Sequence, residues 1–338
     1  MGECWPAAPI HTLLYDAAPM RELFGGREIR TSPLQRLGVR QGNFRSLLPF
    51  FPLAASRLVR DEHELVISSS SAFAHGVVLP EGATHICYCH SPFRYAWHER
   101  ARALEEASPW QRKALALVLT GIRRWDLRAA GRVTHYIANS RITQERIHSF
   151  YGREATIVHP PVAVNRFKSR EPEDYFVFVG EITRHKRVEL AIEAARRAEV
   201  PFVVVGSGPD LERLRIAHGD RVKFTGRVDD EELVDLVSRA RGQIVPNVEE
   251  FGIAAVEAQA AGRPVIAAGA GGALETVVDG ETGILVTPDS VEALAEALRE
   301  VDFGRFDSTR IRANAERFSV DSFRERLVGE VARIAATR

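Results

Sequence analysis

Two glutamates separated by seven residues, Glu249 and Glu257, bracket a segment that passes from an acidic loop through Gly252 into a helix. The helix is built almost wholly of small apolar residues: Ile253, Ala254, Ala255, Val256, Ala258, Ala260 and Ala261. It stops at Gly262, and Arg263–Pro264–Val265–Ile266–Ala267 enters a buried strand. Such a helix is expected to be covered on most sides. Glu257 is a lone charge on it, with no Lys or Arg one turn away. A carboxylate there needs hydrogen-bond donors, and a hydroxyl-rich ligand would supply them. Glu249 precedes the helix N-terminus, where the free amides of Gly252 to Ala254 suit an anion. The plainer reading is an acidic first turn on a core helix, with Glu257 paired elsewhere.

A second group of residues points the same way. The strand Tyr175–Val179 runs through Gly180–Glu181–Ile182–Thr183–Arg184–His185–Lys186–Arg187 into a helix from Val188 to about Ala198. Basic residues at a helix start oppose its dipole. Lys186, supported by Arg187, therefore reads as a contact to a bound anion, the alternative being an exposed basic turn. Gly206 and Gly208, after a strand ending at Val205, let backbone approach a ligand, a pattern also common in ordinary turns. Gly269–Ala270–Gly271–Gly272–Ala273 reads as a flexible loop able to fold over a sugar or phosphate. The strand Thr84–Cys89 delivers His90 to its carboxyl end, where open α/β sheets bind ligands. His85 is expected to pack within that strand.

The elements that hold these residues alternate strand and helix through both halves, which implies α/β architecture: two doubly wound, Rossmann-like domains facing a cleft. A length of 338 residues also suits two domains. The reading assigns residues 1–160 to an N-terminal domain, 161–174 to a proline-containing linker, 175–318 to a C-terminal domain, and 319–338 to a helix that packs back on the first domain. The long helix from about Pro109 to Ala130 carries Arg123, Arg124 and Arg128, most simply a solvated face. Lys plus Arg and Asp plus Glu are equal at 45 each, which argues against a general nucleic-acid binder. Three cysteines, Cys4, Cys87 and Cys89, do not make a disulfide framework or a zinc site, and a reducing cytosol fits. No apolar run is long enough to span a membrane, and the first residues lack a signal-peptide pattern. From Ile29 to Arg60 the chain has no acidic residue but carries Arg30, Arg36, Arg40, Arg45, Arg57 and Arg60, interleaved with Phe44, Leu47, Leu48, Phe50, Phe51 and Leu53. This segment suits an anionic membrane surface or a phosphate-bearing acceptor, or else is a core helix with a solvated Arg face.

Taken together, EEFGIAAVEAQAAGRPVIA, FVGEITRHKRVELAIEA, VVGSGP and FTGRV resemble the nucleotide-sugar domain of family 4 glycosyltransferases of the GT-B type. LVISSSSAFAHG, CYCHSPFRYAWHE, YIANS and IVHPPV extend the likeness over nearly the whole chain, closest to the bacterial mannosyltransferase-like branch that builds surface polysaccharide. The resemblance implies retaining transfer of a hexose from a nucleoside diphosphate sugar, with GDP-mannose the suggested donor, to a polysaccharide or lipid-linked acceptor. It calls for no cofactor and no metal, and it implies a cytoplasmic enzyme, peripheral at the inner face of the membrane. Glu257 would hold the ribose hydroxyls and Glu249 the donor sugar, with amides of Phe251, Gly252 and Ile253 around sugar and diphosphate. Lys186, with Arg187 in support, would neutralise the diphosphate, backbone at Arg227 and Val228 would meet the base, and His90 would face the sugar. Two departures stand out. Glu181 occupies the position where the family commonly has Arg. The family's opening strand and Gly-rich loop are not found, so the first domain is expected to lack its opening strand and the N-terminus to be truncated. A nucleotide-sugar-binding protein with weak or no catalysis is the alternative.

Overall fold

A computed structural model describes residues 1–37, 44–59, 61 and 63–336. The chain divides into two compact units: Met1–Val158 together with the C-terminal segment from Arg326, and His159–Glu325.

The second unit is built on six parallel strands: β7 (Phe176–Val179), β8 (Phe202–Val205), β9 (Val222–Gly226), β10 (Gly242–Val245), β11 (Val265–Ala268) and β12 (Gly283–Val286). Their order in the sheet is β12-β11-β10-β7-β8-β9. β8, β10 and β11 are buried at every position, and the uninterrupted apolar sequences of β8 and β11 are those of strands covered on both faces, while β10 also buries Gln243. The helix Val188–Ala198 places Ala191, Ile192, Ala194 and Ala195 against this sheet, where they join Leu294 and Leu298 of the helix Val291–Glu300. Each fully buried Leu or Ile of this core contributes about 1.5–3 kcal/mol relative to exposure. Asp229 caps the helix Asp230–Arg239 by accepting from the Glu232 amide at 2.9 Å.

The segment expected as a linker, 161–174, is not one over its first half. Val162, Val164 and Phe167 are at most 2% exposed and join the core around Phe251 and Val256. The Val162 amide also donates to the Phe318 carbonyl at 2.9 Å. The three apolar residues have no helical or strand period, so the sequence pattern did not mark them as core.

The first unit carries two separate parallel sheets. β1 (Ile10–Thr12) pairs with β2 (Ile29–Thr31), while β3 (Leu65–Ser70), β4 (Thr84–Cys89), β5 (His135–Ala138) and β6 (Ala155–Ile157) lie in that order in the other. β4 is buried at all six positions. The helix Pro109–Ala130 covers this unit's core with Leu119 and Ile122. Its Asp126 is fully buried, accepting from Trp97 Nε1 at 2.6 Å and the Tyr151 hydroxyl at 2.7 Å, with His75 Nε2 at 3.1 Å. One side of this helix is therefore a buried polar knot beside the Arg-rich face. The C-terminal helix Val320–Ala336 buries Leu327, Val331 and Ile334, and Glu330 accepts a hydrogen bond from Thr156 of β6.

In the basic and apolar segment 30–60, Phe51 is buried and Leu47 and Leu48 pack on the core, whereas Leu37, Phe50 and Leu53 are exposed. Arg40 and Arg60, and the side chains of Phe44 and Arg45, lie outside the described residues. Among the described residues, no helix is long and apolar enough to cross a membrane.

Candidate functional site

In the second unit, β7 is the first strand in sequence and β10 the fourth, and they are neighbours in the sheet. The winding reverses between them, so the loops at their carboxyl ends diverge and leave a crevice. The loop after β7 makes a single turn at Arg184–Lys186 and then passes through Arg187, held at a left-handed φ of 54°. The loop after β10 carries Asn247, Glu249 and Phe251 to Gly252, whose φ of 91° favours glycine. Lys186 and Glu249, 63 residues apart in sequence, meet there with Nζ and Oε1 at 2.5 Å. Asn247 Nδ2 donates to the same oxygen at 3.1 Å. The two charged side chains are 22% and 24% exposed, which holds their attraction well above that of a fully hydrated pair.

Beside this pair begins the helix Ile253–Ala260, whose first amides receive no side-chain cap. Phe251 is buried, its ring stacked on His159 at 5.5 Å and edge-on to Phe318 at 5.3 Å. His159 Nε2 lies 2.9 Å from Glu275 Oε2. The sequence reading missed His159 as a support of the acidic loop, although it stood in the IVHPPV segment, because its partners lie about ninety residues and more downstream. Asn247 stands two residues before Glu249, yet nothing in its spacing marked it as a donor to that carboxylate.

The glycine-rich loop after β11 proves to be a packed clamp. The Gly272 amide donates to the Glu249 carbonyl at 2.9 Å. A Cβ at Gly271 would stand 2.5 Å from that carbonyl, and one at Gly272 would stand 2.3 Å from Phe251 backbone. These glycines are needed so that two loops can touch. Gly206 and Gly208 follow the same logic: added Cβ atoms would meet the Gly180 carbonyl at 1.8 Å and the Ile182 carbonyl at 2.2 Å. Their small size serves the approach of neighbouring strand ends.

Glu257 is half-buried on its helix, and burial raises its pKa, with Arg166 pulling it down and Asp230 pushing it up. Arg166 is itself paired with Asp230 at 3.0 Å. Among the described residues no donor hydrogen-bonds the Glu257 carboxyl group, and the charge of Arg166 offsets the cost of covering it only in part. Arg187 is turned to Asp289, 2.9 Å away, with both side chains more than half exposed. Arg227 is exposed and Val228 packs against the apolar face of β7 and β8, while Ile253 is 48% exposed. Glu181 is exposed.

His90 belongs to the first unit, just past β4. Ser69 Oγ lies 2.8 Å from its Nε2, its carbonyl accepts from Thr143, and burial lowers its pKa, which keeps the ring neutral. His85 is packed within the strand, against Ser68 at 2.8 Å, with its pKa pushed down by burial to about 4.

Lys186 in a crevice, uncapped helix amides beside it and a half-buried carboxylate with no protein donor on that helix form a set suited to an anionic, hydroxyl-bearing ligand. The chain is 29% identical over 236 residues to a glycogen synthase of Mycobacterium tuberculosis, spanning 63% of this chain and 56% of that protein. It is 29% identical over 169 residues to O-antigen chain mannosyltransferase C of Escherichia coli, spanning 48% of this chain and 46% of that protein. It thus spans about half the length of these relatives. Among solved structures, sucrose-phosphate synthase from Thermosynechococcus elongatus superposes with a TM-score of 0.70 at 20% identity, covering 98% of this chain and 97% of that one. Anabaena HepE in complex with UDP superposes with a TM-score of 0.61 at 17% identity, covering 96% and 100%. These likenesses make the fold that of the GT-B glycosyltransferases. The family model of group 1 glycosyl transferases matches residues 163–318, a span that contains Lys186, Glu249 and Glu257.

Proposed function

We propose that the chain is a retaining glycosyltransferase that moves a hexose from a nucleoside diphosphate sugar to a polysaccharide or lipid-linked acceptor. The observation that carries this reading is the meeting of Lys186 and Glu249 at the switch point of the second sheet, beside the uncapped start of the helix Ile253–Ala260. In this role Lys186 exchanges Glu249 for the diphosphate and balances charge as the sugar–phosphate bond breaks, the chief electrostatic demand of such a step. Glu249, released, accepts hydrogen bonds from the sugar, and the amides of Phe251, Gly252 and Ile253 surround it. Glu257 takes the ribose hydroxyls, which supplies the donors that its own unit lacks. Backbone at Arg227 and Val228 lies against the base, Gly206 and Gly208 shape the strand ends, and Arg187 adds positive charge once it leaves Asp289. His90 is proposed as a neutral hydrogen-bonding group of the same reaction. The leaving phosphate removes the acceptor proton, so the reading needs neither a protein base nor a metal.

GDP-mannose is the proposed donor, on the resemblance of the first half. The UDP held by Anabaena HepE makes a uridine nucleotide the first competitor to test. A peripheral contact between the exposed Leu37, Phe50 and Leu53 and an anionic membrane face is proposed with it, read by co-sedimentation with anionic against neutral vesicles. The deciding experiment incubates the protein with GDP-, UDP- and dTDP-sugars and follows nucleotide release with and without acceptor extract. Acceptor-dependent release supports transfer. Donor binding without turnover would favour a nucleotide-sugar-binding protein, a reading that Glu181 supports, since a carboxylate there adds nothing to hold a diphosphate. Absence of any donor binding would overturn both.

A further inference from the structure

The first unit brings together three groups of metal-ligating chemistry that the proposed reaction does not use. His11 lies on β1, and Asp61 and His63 lie in the segment that enters β3. One ligand atom from each falls within 4.8 Å of the other two. The His11 and His63 rings meet edge to face with centroids 5.8 Å apart. His11 Nδ1 stands 3.2 Å from the Leu58 carbonyl, to which it can only donate, and this leaves the Nε2 lone pair free. Nε2 of His11 and Nε2 of His63 are both closed to solvent and without a hydrogen-bond partner. Asp61 is ion-paired with Arg30 through the same Oδ2 that stands 4.0 Å from His63 Nε2, and Arg30 is held by Glu28 at 2.7 Å. Glu28 thus offsets the arginine's charge beside a carboxylate that is itself hydrogen-bonded, as ligating carboxylates commonly are.

We propose that His11, Asp61 and His63 form a binding site for a divalent transition-metal ion of the zinc type, which staples β1 to the segment entering β3. Two imidazoles and a carboxylate are borderline ligands suited to zinc, with a water as the fourth. Bonds of about 2.0–2.1 Å around a tetrahedral ion bring ligand atoms to about 3.3–3.4 Å from one another. The three groups therefore have to close by little more than an ångström, and Asp61, with its side chain 48% exposed, has room to move.

The test uses the full chain, stripped of metal by a chelator and titrated with Zn2+ against a chromogenic competitor, then with Co2+ as a spectroscopic probe. Wild type is expected to take one equivalent, to show the visible absorption of four-coordinate Co2+, and to unfold at a higher temperature with Zn2+. His11→Gln and His63→Gln should each lose the Co2+ band and weaken Zn2+ binding by more than the roughly ten- to hundredfold of an outer-shell change. Glu28→Gln, behind Arg30, should weaken it by about that amount. His148→Gln, which alters an exposed histidine paired with Glu154, should leave all three readouts unchanged. Far-UV circular dichroism establishes that each variant is folded. Absence of one bound equivalent in wild type, or folded His11→Gln and His63→Gln variants that bind Zn2+ as wild type does, would overturn the proposal.

Discussion

Replacing Glu249 by Gln is expected to tighten the binding of a free nucleoside diphosphate while removing sugar transfer. In the structure the diphosphate's proposed partner, Lys186, is occupied by Glu249 at 2.5 Å, and a ligand must displace that carboxylate before it can use the charge. A fully exposed ion pair would hold only about 0.2–1 kcal/mol, and a charge-assisted hydrogen bond out of water about 1.5–3 kcal/mol. With the two side chains 22% and 24% exposed, the pair lies between these limits. Roughly 1–2 kcal/mol is then returned to the ligand when the carboxylate becomes an amide, about five- to thirtyfold in affinity. Gln keeps the length of the side chain and can still accept from Asn247. Calorimetric titration with UDP and GDP at low salt measures the effect. Combining Glu249→Gln with Lys186→Met in a double-mutant cycle assigns it, since the gain should vanish without the lysine. Glu249→Gln affinity equal to or weaker than wild type, or a gain that survives Lys186→Met, would refute the exchange of partners at Lys186.

Three further outcomes follow from the geometry. Burial raises the pKa of Glu257, so the folded chain keeps this proton to higher pH than the unfolded chain; the stability this provides is present below the unfolded value and is lost as pH rises through the folded one. Glu257→Gln should therefore stabilise the ligand-free protein at neutral pH in urea unfolding, yet cost about 1–3 kcal/mol of donor affinity. Burial alone would lower the pKa of His75, but the hydrogen bond and charge of Asp126 raise it, so this pair stabilises fully below the ordinary histidine value and progressively less as pH climbs through the raised one. Asp126→Asn should cost about 3–5 kcal/mol at low pH and flatten that pH dependence of urea midpoints. Gly206→Ala, with its Cβ 1.8 Å from the Gly180 carbonyl at a φ of 139°, should destabilise the protein on thermal melting, whereas Gly121→Ala, with nothing within 4 Å in mid-helix, should stabilise it by about 0.5–1 kcal/mol.

How far the sequence could be read depended on whether the deciding partner was near in the chain. β7 and β8 were legible because buried parallel strands are continuous apolar runs. Glu257 was legible as a problem, since a charge on an apolar helix needs a donor whatever the fold does. Its neighbourhood was not, because Arg166 and Asp230 arrive from elements 91 and 27 residues upstream. Asp126 shows the same limit more sharply. It stands among the arginines that were read as a solvated face, yet it is the centre of a buried knot whose partners are 25 to 51 residues away. The glycines mark a different kind of miss. Gly206 and Gly208 were read as letting backbone approach a ligand, and Gly271 and Gly272 as part of a loop able to fold over one, whereas in the structure each stands against backbone of a neighbouring loop. Small residues at strand ends therefore do not by themselves indicate a ligand. What points to one is the residue that its own unit leaves unsatisfied, and by that criterion the case for the donor site rests on Glu257 and on the exchangeable partner of Lys186.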